Sequence, residues 1–414
     1  MSKSKLFIAL YASLSVLHIN LIGRLLGAEV LALASLPFTK VAMLWRHHPA
    51  LRIALVGLSA LLFAQIVSDI VNNSEFIDYI RGWSVILFSM ISIIFLVNNL
   101  YIDEKNIVYY FFFIMLAKLF FGDTVLDFAE LQSNSNFFKS RFIIFLNPLI
   151  LLLAYYFYSR KKIGTTCLIF IIYGLMCLGL DARSNSVVFL ISGALLLIKA
   201  SGVKLTLLKI TVPCLLLLGC FYLGYMFYVD SVLDGDFGGA NSQVQLALVS
   251  NRYNPFELLY YGRSEFVTLI AAGLDSPLFG HGSWAKDVDG KYALLTAALI
   301  GSDVIGEDGF IRAHSIVMGY FAYAGIFGLL SVSFLFLKLF GFAIKLYKSE
   351  YFIASLPIIT ALSIEMLWTF FFSPIGHLRS SFPLFASLII VEYTRLPKYP
   401  MLNNTKERML NRIQ

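Results

Sequence analysis

Long apolar runs separated by short polar turns recur near 6–23, 25–44, 52–70, 83–101, 106–121, 142–159, 163–180, 186–200, 207–228, 315–341, 351–372 and 380–394. About 20 residues of helix cross the hydrocarbon of a bilayer, so the pattern predicts roughly twelve transmembrane helices. A few runs are short; His18, Asn20 and Glu29 fall within the first two, and Arg24 falls between them. One connection breaks the rhythm. Residues 229–312 are rich in Gly, Asp and Asn, and a loop of that length is either functional or disordered. Within it, "PFELLYYGRSEFVTLIAAGLDSPLFGHG" carries a helical pattern ended by Asp-Ser-Pro and glycines, so short helices are expected there. No internal repeat is visible. The chain therefore divides into helices over 1–228, a large loop over 229–312, and a last group of helices with a basic tail over 313–414.

Composition turns these runs into a class. The 414 residues are 59% hydrophobic and only 14% charged, more apolar than a soluble core requires, so the fold class is an all-α polytopic membrane protein. A net charge of +7 would suggest nucleic acid in a soluble protein. Here the basic residues sit between spans and report topology instead. With both termini in the cytoplasm, Lys3 and Lys5, Lys40 to Arg52, Arg160 to Lys162, Lys199 to Lys209, Lys338 to Lys348 and the tail from Arg395 all fall inside, which accounts for most of the basic residues. The N-terminus imitates a secretory signal, but its Ala-Leu-Ala-Ser at 32–35 lies too far downstream, and uncleaved spans are expected. Cys167, Cys177, Cys214 and Cys220 all lie in apolar runs and imply neither a disulfide framework nor a metal site.

The loop 229–312 then falls on the outer face, together with the arginines that resist the inside rule. His314 stands at the outer start of the tenth run, in "RAHSIVMGYFAYAGIFG". The positive end of a helix disfavours imidazolium, which leaves a neutral ring able to take a proton from a hydroxyl. The alternative is an interfacial histidine bonded to a loop. Ser315, Gly319 and Ala322 follow on one small-residue face that lets a neighbour approach, and Gly325 and Gly328 either bend the helix or serve its packing. Arg183 in "LGLDARSNSVVFL" and Arg263 in "YYGRSEF" suit a phosphate with paired donors, or salt bridges to Asp181, Glu257 and Glu265. Arg312 and Arg379, at outer span ends, are either surface anchors or part of the same set. Four cations around one histidine fit a polyanionic ligand with a lipid tail. Asp287-Val-Asp289 and Asp234-Gly-Asp236 have the spacing of metal-dependent sugar transferases, but further oxygen ligands are missing and no metal is expected. Glu365 lies mid-span and must face protein or water, and Trp284 and Phe279 either anchor the loop or stack on a sugar.

These motifs resemble a known family. His314-Ser315, nine residues, Gly325, two residues and Gly328 are similar to the signature of the bacterial O-antigen polymerase and O-antigen ligase superfamily. "GRSEFVTLIAAGLDSPLFGHGSWAKD" resembles that family's loop helix and its Pro-Leu-Phe-Gly-x-Gly turn. "DARSNSVVFLISGALLL" resembles its Ser-Arg-Ser segment, with Ala182 in place of the first serine. The resemblance implies a metal-independent, inverting glycosyltransferase without cofactor, in the bacterial inner membrane, with its active site facing the periplasm. Its donor would be an undecaprenyl-pyrophosphate-linked glycan. His314 would activate the glycan acceptor, and Arg183 and Arg263 would hold the pyrophosphate. Arg312 and Arg379 are added from their place along the chain. The partners implied are donor, acceptor, membrane lipid and a chain-length regulator. "GHGSWAKD" followed by "AHS" favours a polymerase over a ligase that transfers finished polymer to lipid A core. A transporter or flippase would call for charges near mid-membrane and a repeated fold.

Overall fold

The computed structural model describes residues 2–21, 23–122, 142–180, 182–202, 219, 222–235, 243, 246–300 and 309–397. The chain is mostly helical, and its long apolar helices mark a membrane protein. Among the described residues, four helices are long and apolar enough to cross a bilayer: α4 (Pro49–Val71), α5 (Phe76–Ile102), α9 (Arg183–Ala200) and α14 (Ile316–Lys348). Four more are apolar but shorter: α6 (Asn106–Phe121), α7 (Ile143–Ser159), α8 (Ile163–Gly179) and α15 (Leu356–Phe372). Most of the expected run 207–228 and the Asp-x-Asp residue Asp236 lie outside the described residues, as does Asp181.

The first two expected spans depart from the reading 6–23 and 25–44. Helix α1 covers only Lys3–Leu14. The chain then makes an antiparallel hairpin of β1 (His18–Asn20) and β2 (Arg24–Leu26), with Ile19 opposite Leu25. The reason is local, since His18, Asn20 and Arg24 crowd a stretch that hydrocarbon would not solvate. The second run becomes α2 (Gly27–Ser35), a single turn Leu36–Phe38 carrying Pro37, and α3 (Val41–His47). The two halves, Gly27–Phe38 and Val41–His47, meet at 91°, and Pro37 ends the regular α-helix two residues before that break. Counted as one bent span, the pair makes a fifth candidate.

The core forms where α4, α5, α14, α15 and α17 (Phe382–Arg395) meet. Phe336 of α14 packs against Phe370 at 4.4 Å and Phe382 at 5.2 Å between ring centroids. In lipid such contacts gain little from leaving water, so close fit carries the association. The α8–α9 hairpin depends on fit too: a methyl group at Gly174 would press on Leu190. The segment 222–233 forms α10, where Tyr228, Val229 and Val232 build a small core with Leu246. It is followed by α11 (Pro255–Gly262), α12 (Ser264–Asp275) and α13 (Lys291–Ile300), so the large loop contains the short helices expected of it. The end of the bundle that carries these helices is called here the loop end.

Candidate functional site

The site is built around the start of α14. Ser315 is extended, with φ −148° and ψ 131°, and its hydroxyl accepts from the Met318 N–H at 3.2 Å, a side-chain cap for the first turn. The same hydroxyl lies 3.4 Å from the Phe370 carbonyl in the last turn of α15. On the other side of His314, the Ala313 carbonyl accepts from the Ile375 N–H at 3.3 Å. His314 is thus held between two pinned neighbours while its half-exposed ring makes no hydrogen bond among the described residues. Gly319, on the expected small-residue face, lets the turn at Ile375 close in; a Cβ there would come within 2.7 Å of that side chain.

Ten residues further on, α14 breaks. Ala324 has φ −127° and ψ 15°, and Gly325 has φ 62° and ψ −155°, a conformation that essentially only glycine adopts. Irregular backbone at membrane depth survives only where protein satisfies it. Here the loop does so. His281 N–H donates to the Ala322 carbonyl at 2.8 Å, Gly282 N–H to the Tyr323 carbonyl at 3.0 Å, and Ile326 N–H to the Pro277 carbonyl at 2.8 Å. Ser68 of α4 adds a fourth bond, hydroxyl to Tyr323 carbonyl at 2.6 Å. The "PLFGHG" turn and the glycine of "AHSIVMGYFAYAGIFG", far apart in sequence, are therefore one structural unit. The segment before α14 closes it from the other side, with Ile311 N–H on the Ala285 carbonyl at 2.9 Å and the Tyr323 hydroxyl on the Ile311 carbonyl at 3.0 Å.

Two of the five predicted site residues, Arg263 and His314 through its neighbour Ser315, lie against the C-terminal end of α15, and a third, Arg183, acts electrostatically on Arg263. Arg263 occupies the junction of α11 and α12, its guanidinium 5.5 Å from the ring centroid of Trp368. Phe266 packs on Phe372 at 6.0 Å, so the head of α12 and the flank of His314 share the same turn of α15. Arg183 is the first residue of α9, which packs along α15. Burial lowers the pKa of the Arg263 guanidinium; Glu265 opposes this, and the charge of Arg183 adds to the lowering. Arg183 has an interaction of its own, and its charge lies within electrostatic reach of the partly desolvated Arg263.

The other two arginines belong to other segments. Arg312 is exposed on the stretch leading to α14 and has an interaction of its own. Arg379, in α16 (His377–Ser380), donates through Nε and Nη2 to the two oxygens of Glu29 and lies 5.3 Å from the ring centroid of Phe88. Glu29 is 1% exposed and also accepts from the Leu26 N–H at 2.8 Å. Removing one partner of a buried, bidentate pair strands the other charge, at a cost of roughly 3–5 kcal/mol. Arg379→Ala is therefore expected to lower the melting temperature of the detergent-extracted protein, with Glu29→Gln restoring part of the loss in the double variant. An Arg379 that held ligand would instead leave stability unchanged and weaken binding.

The remaining candidates have visible roles. The Asp287 carboxylate accepts from the Ala293 N–H at 2.7 Å in the first turn of α13, while Asp289 and Asp234 are exposed. Among the described residues no group of three or more His, Cys, Asp or Glu side chains is placed to hold a metal ion. Trp284 packs within the loop, against Phe310 at 6.3 Å and beside Arg81 at 5.8 Å. Glu365 sits one turn before Trp368 on α15, with Lys118 of α6 as the opposite charge that acts on it. Sequence reasoning passed over Asp69, which holds the loop in place. The signal was an acid one turn from the end of an apolar run, in "QIVSDIVNNSEF". No protein-family model matches this chain, and no curated protein matches it in sequence.

Proposed function

We propose that the protein is an O-antigen polymerase: a metal-independent, inverting glycosyltransferase that joins lipid-linked oligosaccharide repeat units at the periplasmic face of the bacterial inner membrane. The observation that carries this reading is that Arg263 and the pinned flank of His314 lie against the end of α15, with the charge of Arg183 within electrostatic reach of Arg263, at the boundary between apolar helices and the large loop. A donor with a polyprenyl tail, a pyrophosphate and a glycan has its apolar and polar halves divided at the same boundary. In this reading the loop end faces the periplasm, both termini are cytoplasmic, and the shorter apolar helices complete a set of about twelve spans.

The acceptor hydroxyl gives its proton to the His314 ring as its oxygen bonds to the anomeric carbon. The bond from that carbon to the pyrophosphate oxygen breaks on the opposite side, and its electron pair leaves with the polyprenyl pyrophosphate. Arg263 and Arg183 stabilise the charge that grows on this leaving group, where partial desolvation makes each interaction stronger than in water. A single in-line displacement inverts the anomeric centre.

Arg183→Ala and Arg263→Ala are each expected to raise the donor KM or lower kcat/KM by roughly tenfold or more, the scale of one lost charge-assisted contact. Unchanged donor kinetics in both variants would remove the pyrophosphate role. The glycan ladder of a deletion strain tests the acceptor: loss of a polymerase leaves one repeat unit on the lipid A core. A bare core with finished polymer stranded on its carrier would assign the ligase reaction instead.

A further inference from the structure

The segment docked in the α14 break is held from behind by one carboxylate. Asp69, at the end of α4, is 3% exposed and accepts four hydrogen bonds. Its Oδ1 takes the Ser283 N–H at 2.6 Å and the Ser74 hydroxyl at 2.9 Å, and its Oδ2 takes the Trp83 indole N–H at 2.7 Å and the Ser283 hydroxyl at 2.8 Å. The donors come from the turn after α4, from α5 and from the loop, 214 residues away in sequence. The approach leaves no slack. A Cβ at Gly282 would come within 3.2 Å of Asp69 Oδ1, and one at Gly82 would overlap the Ser283 side chain. Asn72, one turn further along, donates from Nδ2 to the Gly280 carbonyl at 3.1 Å.

A carboxylate that accepts four hydrogen bonds, two of them from a buried serine of the loop, is far more than a loop needs for solubility. The loop it holds runs from the end of α12, whose first turn begins beside Arg263, to the strand-like stretch that leads into His314. We infer that Asp69 is a positioning residue for the transfer site: by fixing Ser283 it seats the 277–285 turn in the break of α14 and so sets Arg263 relative to His314. The inference rests on the glycosyl-transfer reading above. Asp69 itself touches neither of those side chains in any hydrogen bond or ion pair, and acts only through the turn.

The test uses full-length protein in detergent, with the polyprenyl-pyrophosphate glycan extracted from a strain deleted for this protein as both donor and acceptor. Release of polyprenyl pyrophosphate is followed in Asp69→Asn, Ser283→Ala, Trp83→Phe and His314→Ala. Asparagine keeps one accepting oxygen but turns an N–H toward the second pair of donors. Ser283→Ala removes the hydroxyl bond of the tie to the loop and leaves the Ser283 N–H on Oδ1, whereas Trp83→Phe removes a bond of the same carboxylate on the α5 side. If Asp69 positions the site, kcat falls roughly ten- to hundredfold in Asp69→Asn and by a smaller factor in Ser283→Ala, as small misplacements of reacting groups do. Donor KM moves less than kcat, and Trp83→Phe keeps kcat at a comparable loss of melting temperature. A fall in kcat that tracks melting temperature across all three variants overturns the inference, as does wild-type kcat in Asp69→Asn. Should Asp69→Asn fail to fold, Ser283→Ala against Trp83→Phe decides by the same comparison. Wild-type release by His314→Ala refutes the transfer reading itself, a separate failure from that of Asp69.

Discussion

His314→Ala is expected to lower glycan transfer by about 10²–10⁴-fold, the range attributable to one positioned acid–base group, while the protein stays folded in the membrane. The two halves of this expectation come from different observations. The ring is half-exposed and makes no hydrogen bond among the described residues, so its removal strands no buried partner. Its neighbours, however, are pinned: Ala313 by Ile375, and Ser315 by the cap to Met318 and the contact with Phe370. A side chain held so firmly and used so little by the fold is free to serve a substrate. His314→Gln sharpens the test, because the amide keeps size and hydrogen-bonding capacity but cannot take the proton. Equal loss in both variants points to proton transfer, and recovery in the glutamine variant points to binding alone. An ordinary interfacial histidine predicts wild-type transfer from either variant, measured with lipid-linked glycan and matched amounts of extracted protein.

Much of the helical architecture was legible in the alternation of apolar runs and polar turns, because a segment in lipid must satisfy its backbone internally and writes this need as length and apolarity. Asn106–Phe121, Ile143–Ser159 and Ile163–Gly179 fall within a residue or so of the runs that foretold them. The first 47 residues did not, since a hairpin and a bend of 91° depend on which polar groups find partners elsewhere in the bundle. Glu29 is the example: its partner Arg379 lies 350 positions away, and no local pattern announces the pair. The same limit applies to the site. His314, Arg183 and Arg263 stood out because charge at the edge of an apolar run is costly and conspicuous. Asp69 did not, because an acid beside Asn-Asn-Ser-Glu looks like part of a solvated turn. Its meaning lies in four donors, two of them brought by a residue more than 200 positions away.

Gly325→Ala is expected to destabilise the protein by roughly 2–6 kcal/mol and to abolish transfer with it, although the substitution adds one methyl group. Two costs combine. An alanine at φ 62° and ψ −155° occupies a region that costs of order 1–3 kcal/mol, and overpacking a tight contact adds a similar amount. The obstruction is backbone rather than a flexible side chain: the new Cβ would overlap the Leu278 carbonyl and come within 2.7 Å of the Phe279 nitrogen. Either α14 straightens or the docked turn moves away. In both cases the Ala322 and Tyr323 carbonyls lose the His281 and Gly282 N–H groups that satisfy them, and the turn between Arg263 and the segment before His314 loses its seat. Gly341 on the same helix is the control, because nothing lies within 4 Å of its Cβ position and its backbone is helical. Gly341→Ala should therefore be neutral or stabilising by up to about 1 kcal/mol, as alanine is in a helix interior. Melting temperatures and transfer rates of the two variants, measured side by side, separate a helix that tolerates a methyl group from a break that does not. Equal behaviour of the two would mean that the bend at Gly325 has no part in holding the loop, and the unit formed by the "PLFGHG" turn and the α14 break would lose its basis.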